Sequence, residues 1–150
     1  MKTLTRHTTF DVSAPPERVF PLLCPVREYD WIATWECEMV HSESGVAEED
    51  CIFCTRFSDE PMTWIVSRYE PPTRIEFSCV VPDLYAMRLK IALAGHAAST
   101  RLEWTRRWLS LGPAGEAWIE ERTEAEYDKA MTMLRDSLCH YLATGDMLRP

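Results

Sequence analysis

Between Tyr85 and Leu93 the chain alternates with a period of two. Tyr85, Met87, Leu89, Ile91 and Leu93 fall on one side, Arg88 and Lys90 on the other. That is the signature of a strand with one buried face. Related segments occur at Thr5 to Ser13, Trp35 to His41, Cys51 to Phe57, Met62 to Tyr69, Arg74 to Val81 and Thr100 to Leu109. In the first, Phe10 and Val12 alternate with Thr9 and Asp11; in the second, Trp35, Cys37, Met39 and His41 alternate with Glu36 and Glu38. From Cys51 to Tyr69 the parity stays open, because Phe53/Phe57 and Ile52/Cys54 both read as inward sets. Ser42 to Gly45, Pro71-Pro72 and Gly95 to Ser99 separate neighbouring strands by short turns, which predicts an antiparallel meander.

The period lengthens in two places. Ser13-Ala-Pro-Pro-Glu17 reads as a helix start, with Ser13 as cap, prolines in the first turn and Glu17 favourable to the dipole. Pro25 ends that helix early, and Glu28 to Ala33 allows one more turn. After Leu111 to Gly115, the segment Glu116 to Ala143 reads as one long helix. Tyr127, Met131, Leu134, Leu138 and Tyr141 form its apolar stripe. Acidic residues crowd its first half, Lys129, Arg135 and His140 its second, and Gly145 suits its stop.

One helix cannot cover both faces of so wide a sheet. The economical fold is α+β: a curved antiparallel sheet of seven strands wrapped around a long C-terminal helix, with two short helices after strand 1, in a single domain over residues 1–150. Space beside the helix then remains as a ligand cavity.

Composition narrows the function. The 150 residues are 46% apolar and 27% charged, with a net charge of -8, which disfavours both nucleic acid and anionic membrane surfaces as partners. The densest basic cluster, Arg101, Arg106 and Arg107, is interrupted by Glu103. The N-terminal decapeptide has no apolar run of the signal-peptide kind, and no stretch approaches the ~18 apolar residues of a span. A cytoplasmic setting with the six cysteines reduced is therefore expected.

Candidate chemistry centres on the last strand. Leu102, Trp104, Arg106 and Trp108 share one face; Arg101, Glu103, Thr105 and Arg107 share the other. With the tryptophan face inward, Arg106 becomes an arginine on an apolar surface and needs a partner. That partner is a ligand carboxylate or other oxyanion, an internal Asp or Glu, or solvent reached by snorkelling. Of the six tryptophans, Trp35 and Trp104 lead as cavity residues. The expected binding wall comprises Trp35, Phe77, Met87, Trp104 and Arg106, together with Tyr127, Met131 and Leu134 from the helix.

Catalytic candidates are fewer. Tyr29 and Asp30, in Glu28-Tyr29-Asp30-Trp31 near the expected mouth, could act as acid and base, or Asp30 could serve as a turn residue. His41 is the one histidine expected on an inward strand face, and His7, His96 and His140 are peripheral. Cys51-Ile-Phe-Cys54 does not suggest a metal, because residues three apart on a strand face opposite ways. Cys37 and His41 share a face but lie roughly 13 Å apart by strand rise. No metal and no cofactor are expected, and no phosphate loop or nucleophile elbow is present.

Several segments resemble the helix-grip superfamily, which includes START lipid-transfer domains, birch-pollen-allergen-like proteins and bacterial polyketide cyclase/dehydrase-like proteins. They are Ser13-Ala-Pro-Pro-Glu-Arg-Val-Phe20, Trp31, Pro71-Pro72-Thr-Arg-Ile75, and Gly95 to Trp104 with Thr100-Arg-Leu-Glu-Trp104 at its core. Their order covers essentially the whole chain. The resemblance implies binding of a small hydrophobic molecule, a cyclase/dehydratase-type reaction in the same cavity, or a chaperone-type protein interaction. The fold alone does not choose among these. As an enzyme, the chain would draw on His41, Asp30, Tyr29, Tyr127 and Arg106. Homodimerisation stays open.

Overall fold

The computed structural model describes residues 1–57 and 60–150. Its strands are β1 (Thr3–Val12), β2 (Cys37–His41), β3 (Ile52–Phe57), β4 (Glu60–Glu70), β5 (Arg74–Val81), β6 (Tyr85–His96) and β7 (Ser99–Ser110). They form one seven-stranded antiparallel sheet in the order β1-β7-β6-β5-β4-β3-β2. The strands β1 and β2 are neighbours in sequence but occupy opposite edges. The chain between them spans the width of a curved sheet, and it does so through short helical pieces: α1 (Pro16–Val19) and the 3₁₀ turns Phe20–Leu23 and Glu28–Asp30.

Alternation along each strand produces continuous rows across the concave face. One row runs Leu4, Trp108, Met87, Cys79, Trp64, Phe53. The next runs Arg6, Arg106, Leu89, Phe77, Val66. Apart from Leu4 and the two arginines, every residue in these rows is buried. Removing each large apolar side chain from water contributes ~1.5–3 kcal/mol, so the inward parity is strongly fixed. Phe53 lies on the inward face and Ile52 and Cys54 on the other, which resolves the parity of β3. The side chain of Phe57 lies outside the described residues. Phe53 stacks on Trp64 with 5.9 Å between ring centroids, and both meet Phe77 edge-on. Trp64 Nε1 donates to Thr55 Oγ1 at 2.9 Å, so this aromatic cluster is fully satisfied.

Three sequence expectations are corrected. Ser13 does not cap the first helix. Pro15 occupies the N-cap with no side-chain hydrogen bond, and its carbonyl accepts from Arg18 N and Val19 N. The C-terminal helix is not continuous from Glu116. It is two helices, α2 (Pro113–Glu121) and α3 (Glu124–Thr144). The break follows from a capping box: Thr123 Oγ1 accepts from Glu126 N at 3.2 Å, and the Glu126 carboxylate accepts from Thr123 N at 3.1 Å. Finally, β2 starts at Cys37 rather than Trp35. At the other end, Gly145 closes α3 in the left-handed region (φ 77) and its N–H donates to Tyr141 O at 2.7 Å.

Helix α2 seats itself by close approach. A Cβ on Gly115 would lie 1.8 Å from the Leu84 carbonyl oxygen, so the helix backbone rests directly on the β5–β6 turn. Helix α3 approaches the sheet backbone most closely along β1. Its Tyr127, Met131, Leu138 and Leu142 are buried, whereas Leu134 and Tyr141 are half-buried. Among the described residues, no helix is long and apolar enough to cross a membrane.

Candidate functional site: a polar cluster on an apolar concave face

The concave face under α3 is built from the aromatic and aliphatic rows described above, yet it is not uniformly apolar. Among the described residues, four buried side-chain polar atoms have no hydrogen-bond partner: Arg6 Nε, Trp104 Nε1, Arg106 Nε and Tyr127 Oη. All four belong to side chains that share the inward face of β1 and β7 or the apolar stripe of α3. Buried polar groups are nearly always satisfied, so four on facing elements set this face apart from the rest of the core.

Arg106 is the centre of this group. Arg106 is half-buried with its Nε enclosed, and burial lowers its pKa from the usual arginine value. Tyr127, Glu28, Tyr85 and Cys79 oppose that shift in this order. Its guanidinium carbon stands 5.9 Å from the Trp104 ring centroid, a favourable contact. Among the described residues, no carboxylate comes within ion-pair distance of it. The internal Asp or Glu partner that the sequence allowed is therefore not in place.

Glu28, on the 3₁₀ turn Glu28–Asp30, is near enough to Arg106 for the two charges to interact. Burial pushes its carboxyl well above the usual carboxylate range, and the charge of Arg106 only partly offsets this. The residue as a whole is half-buried. Cys79 faces the same interior; burial pushes its thiol up to about 12, against the charge of Arg106, so it stays protonated.

Two half-open recesses follow the seam between β1 and α3. A half-open groove of ≈ 340 Å³ lies at the α2–α3 joint, lined by Leu4, Arg6, Trp108, Trp118, Arg122, Thr123, Glu126 and Tyr127. Aromatic contacts build its wall: Trp108 meets Tyr127 edge-on at 6.3 Å and Trp118 at 6.2 Å, and Arg122 stacks over Trp118 at 4.6 Å. A smaller recess of ≈ 150 Å³ follows the seam past Phe10 and Met131.

The structure places Phe77, Met87, Trp104 and Arg106 on the concave face, and Tyr127, Met131 and Leu134 on the apolar side of α3. Trp35 stands apart from them, before β2, with its Nε1 donating to Pro25 O at 2.7 Å. The three catalytic candidates do not converge. His41 is exposed beyond a bulge between Met39 and His41, which corrects the inward face expected for it. Tyr29 is exposed and pins β2: its hydroxyl donates to Cys37 O at 3.0 Å and accepts from Cys37 N at 2.9 Å. Asp30 is exposed and paired with Arg27 Nε at 2.7 Å.

Arg6 and Glu28 escaped the sequence reading. In a 3₁₀ turn, residues three apart eclipse, and Trp31 is wholly buried with Nε1 donating to Leu22 O at 2.8 Å. The buried Trp31 therefore selects Glu28, not its neighbours Tyr29 and Asp30, as the inward member. Arg6 shares the parity of Phe10 and Val12. That was the available signal for placing it inside.

A seven-stranded antiparallel sheet bent round a long C-terminal helix, with short helices after the first strand, defines a helix-grip protein. The chain belongs to the polyketide cyclase / dehydrase and lipid transport family, whose family model matches residues 3–138. No curated protein matches the sequence significantly. Among solved structures, MLL2253 from Mesorhizobium loti is 14% identical with a TM-score of 0.70, the match covering 95% of this chain and 99% of that one. Ara h 8.0201 is 10% identical with a TM-score of 0.65, over 95% of this chain and 100% of that one. DynU16, from the dynemicin biosynthetic locus, is 19% identical with a TM-score of 0.66; the match covers 95% of this chain but 48% of DynU16. At these identities the likeness is one of fold.

Proposed function

We propose that this protein binds a small, largely apolar molecule bearing an acidic group, with the acid seated at Arg106 and the apolar body against the aromatic rows. The observation that supports this most directly is Arg106 itself: a guanidinium on the concave face, its Nε buried and unpartnered. An arginine fork suits a carboxylate, and leaving such a charge unpaired costs several kcal/mol, roughly. The surrounding Trp104, Leu89 and Phe77 offer apolar area to the rest of the ligand. The test is titration with two fluorescent probes, anionic anilinonaphthalene sulfonate and neutral phenylnaphthylamine. Saturable binding of both to the native protein is expected. Absence of saturable binding for either would overturn the reading.

A second reading, acid/base chemistry on the same guest, is favoured by Glu28. A carboxyl held neutral by burial has a proton to give, and Arg106 can stabilise negative charge that develops opposite it. Such a pair suits loss of water from a β-hydroxy carbonyl compound: Glu28 protonates the departing hydroxyl as the Cβ–O bond breaks, the α-proton passes to water, the Cα=Cβ bond forms, and Glu28 regains its proton from solvent. Enone formation from a β-hydroxy ketone, followed by absorbance, should be accelerated by the native protein and slowed in Glu28→Gln. Equal rates in the two proteins would remove this reading.

A further inference from the structure

Arg6 and Arg106 are direct cross-strand partners in the β1–β7 ladder, and both carry inward side chains. Directly opposed residues have Cβ atoms about 4.5–5.5 Å apart, and like charges there repel. Each has a buried Nε without a partner. Among the described residues, neither has a carboxylate within ion-pair distance. The acidic groups nearby do not resolve this. Glu126 lines the groove with Arg6, but it is committed to the cap of Thr123. Glu28 acts on Arg106 only at a distance, and its own burial favours the neutral form. Two apposed arginines without a counter-charge call for an anion between them.

We propose that Arg6 and Arg106 form one clamp for the carboxylate of an apolar monocarboxylic acid, with Tyr127 Oη as an additional donor. This rests on the binding function proposed above and names the ligand class and the second residue that reads it. A carboxylate is planar and offers two oxygens, one to each guanidinium. The flanking positions restrict the anion to that spot. On one side of the pair the ladder places Leu4 opposite Trp108, and on the other Thr8 opposite Trp104. The charged head is thus framed by aromatic walls that accept the apolar body. The half-open groove lined by Arg6, Trp108 and Tyr127 gives the head access from the surface.

The test compares pyrenebutanoic acid with its methyl ester, two probes of the same apolar body that differ in the anion. The native protein is expected to bind the acid at least about tenfold more tightly than the ester, the scale of a charged hydrogen bond. Arg6→Gln and Arg106→Gln should each erase about a tenfold share of the acid's affinity and leave the ester's unchanged. The double variant should lose less than the product of the two single losses, because the residues act as a unit. Far-ultraviolet circular dichroism and Arg106→Lys, which keeps the charge, guard against a variant that fails to fold. Equal affinity for acid and ester in the native protein would overturn the clamp and the acid seat at Arg106, while leaving the binding of an apolar molecule standing. An Arg6→Gln variant with undiminished affinity for the acid would overturn the clamp alone. If neither probe binds saturably, the binding function itself fails.

Discussion

Glu28 and Arg106 form no ion pair, yet each alters the other's proton affinity. The carboxyl is raised by burial more than the guanidinium lowers it. In the folded protein Glu28 therefore holds a proton at a pH where the unfolded chain has released it. Its contribution to stability is fully present below the usual value of 4.5 and is lost as pH rises through the folded value. Within that window, stability should fall by up to about 1.4 kcal/mol per pH unit from this group. Urea unfolding of the native protein and Glu28→Gln across the acidic to neutral range checks this. The variant should show a flatter profile, and parallel profiles would mean that Glu28 does not titrate anomalously.

The arginine pair should cost the empty protein stability. Replacing one member with an apolar residue of similar length removes a buried charge and its repulsion. Arg106→Met or Arg6→Met, stripped of bound molecules, should gain ~1 kcal/mol, a rise of ~2–4 °C in thermal midpoint. The second substitution should add less than the first, because the first already relieves the repulsion. A lower midpoint for both variants would show that the guanidiniums are satisfied within the fold.

Thr123→Ala removes the cap that separates α2 from α3. The expected loss is ~1 kcal/mol, measured by chemical denaturation. Thr123→Ser, which keeps the hydroxyl, should restore most of it.

Gly115→Ala should destabilise more, because the new methyl would meet the Leu84 carbonyl and the Ser110 backbone rather than a yielding side chain. A loss of about 3 kcal/mol is expected, together with a change in the near-ultraviolet signal of Trp118. A variant as stable as the native protein would mean that α2 does not rest on the β5–β6 turn in solution.

Much of the fold was legible because period-two alternation is enforced by burial. The residues Tyr85 to Leu93 and Leu102 to Trp108 announce both strand and face. What the pattern hid were local hydrogen-bond decisions. The capping box at Thr123 lies inside an acidic run that is also good helix sequence, so periodicity alone carries the helix straight through. A bulge between Met39 and His41 turns His41 outward although strict alternation puts it inside. The site was half legible. Arg106 stood out because tryptophans flank it on its own face. Arg6 went unnoticed because its partner lies a hundred residues away in sequence, across a ladder whose register only the folded sheet supplies. Glu28 was passed over for neighbours with more familiar chemistry, although the buried Trp31 marks its side of the turn.

The long helix is fastened unequally at its two ends. Near its C-terminus, Arg18 reaches across from α1 and donates to the Leu142 carbonyl at 2.8 Å. Its N-terminus is a joint, stopped and restarted at Arg122–Thr123 beside the half-open groove. A lever bolted at one end and jointed at the other swings most at the joint. Amide exchange in α3 is therefore expected to be faster in the turn after Thr123 than in the turn around Leu142.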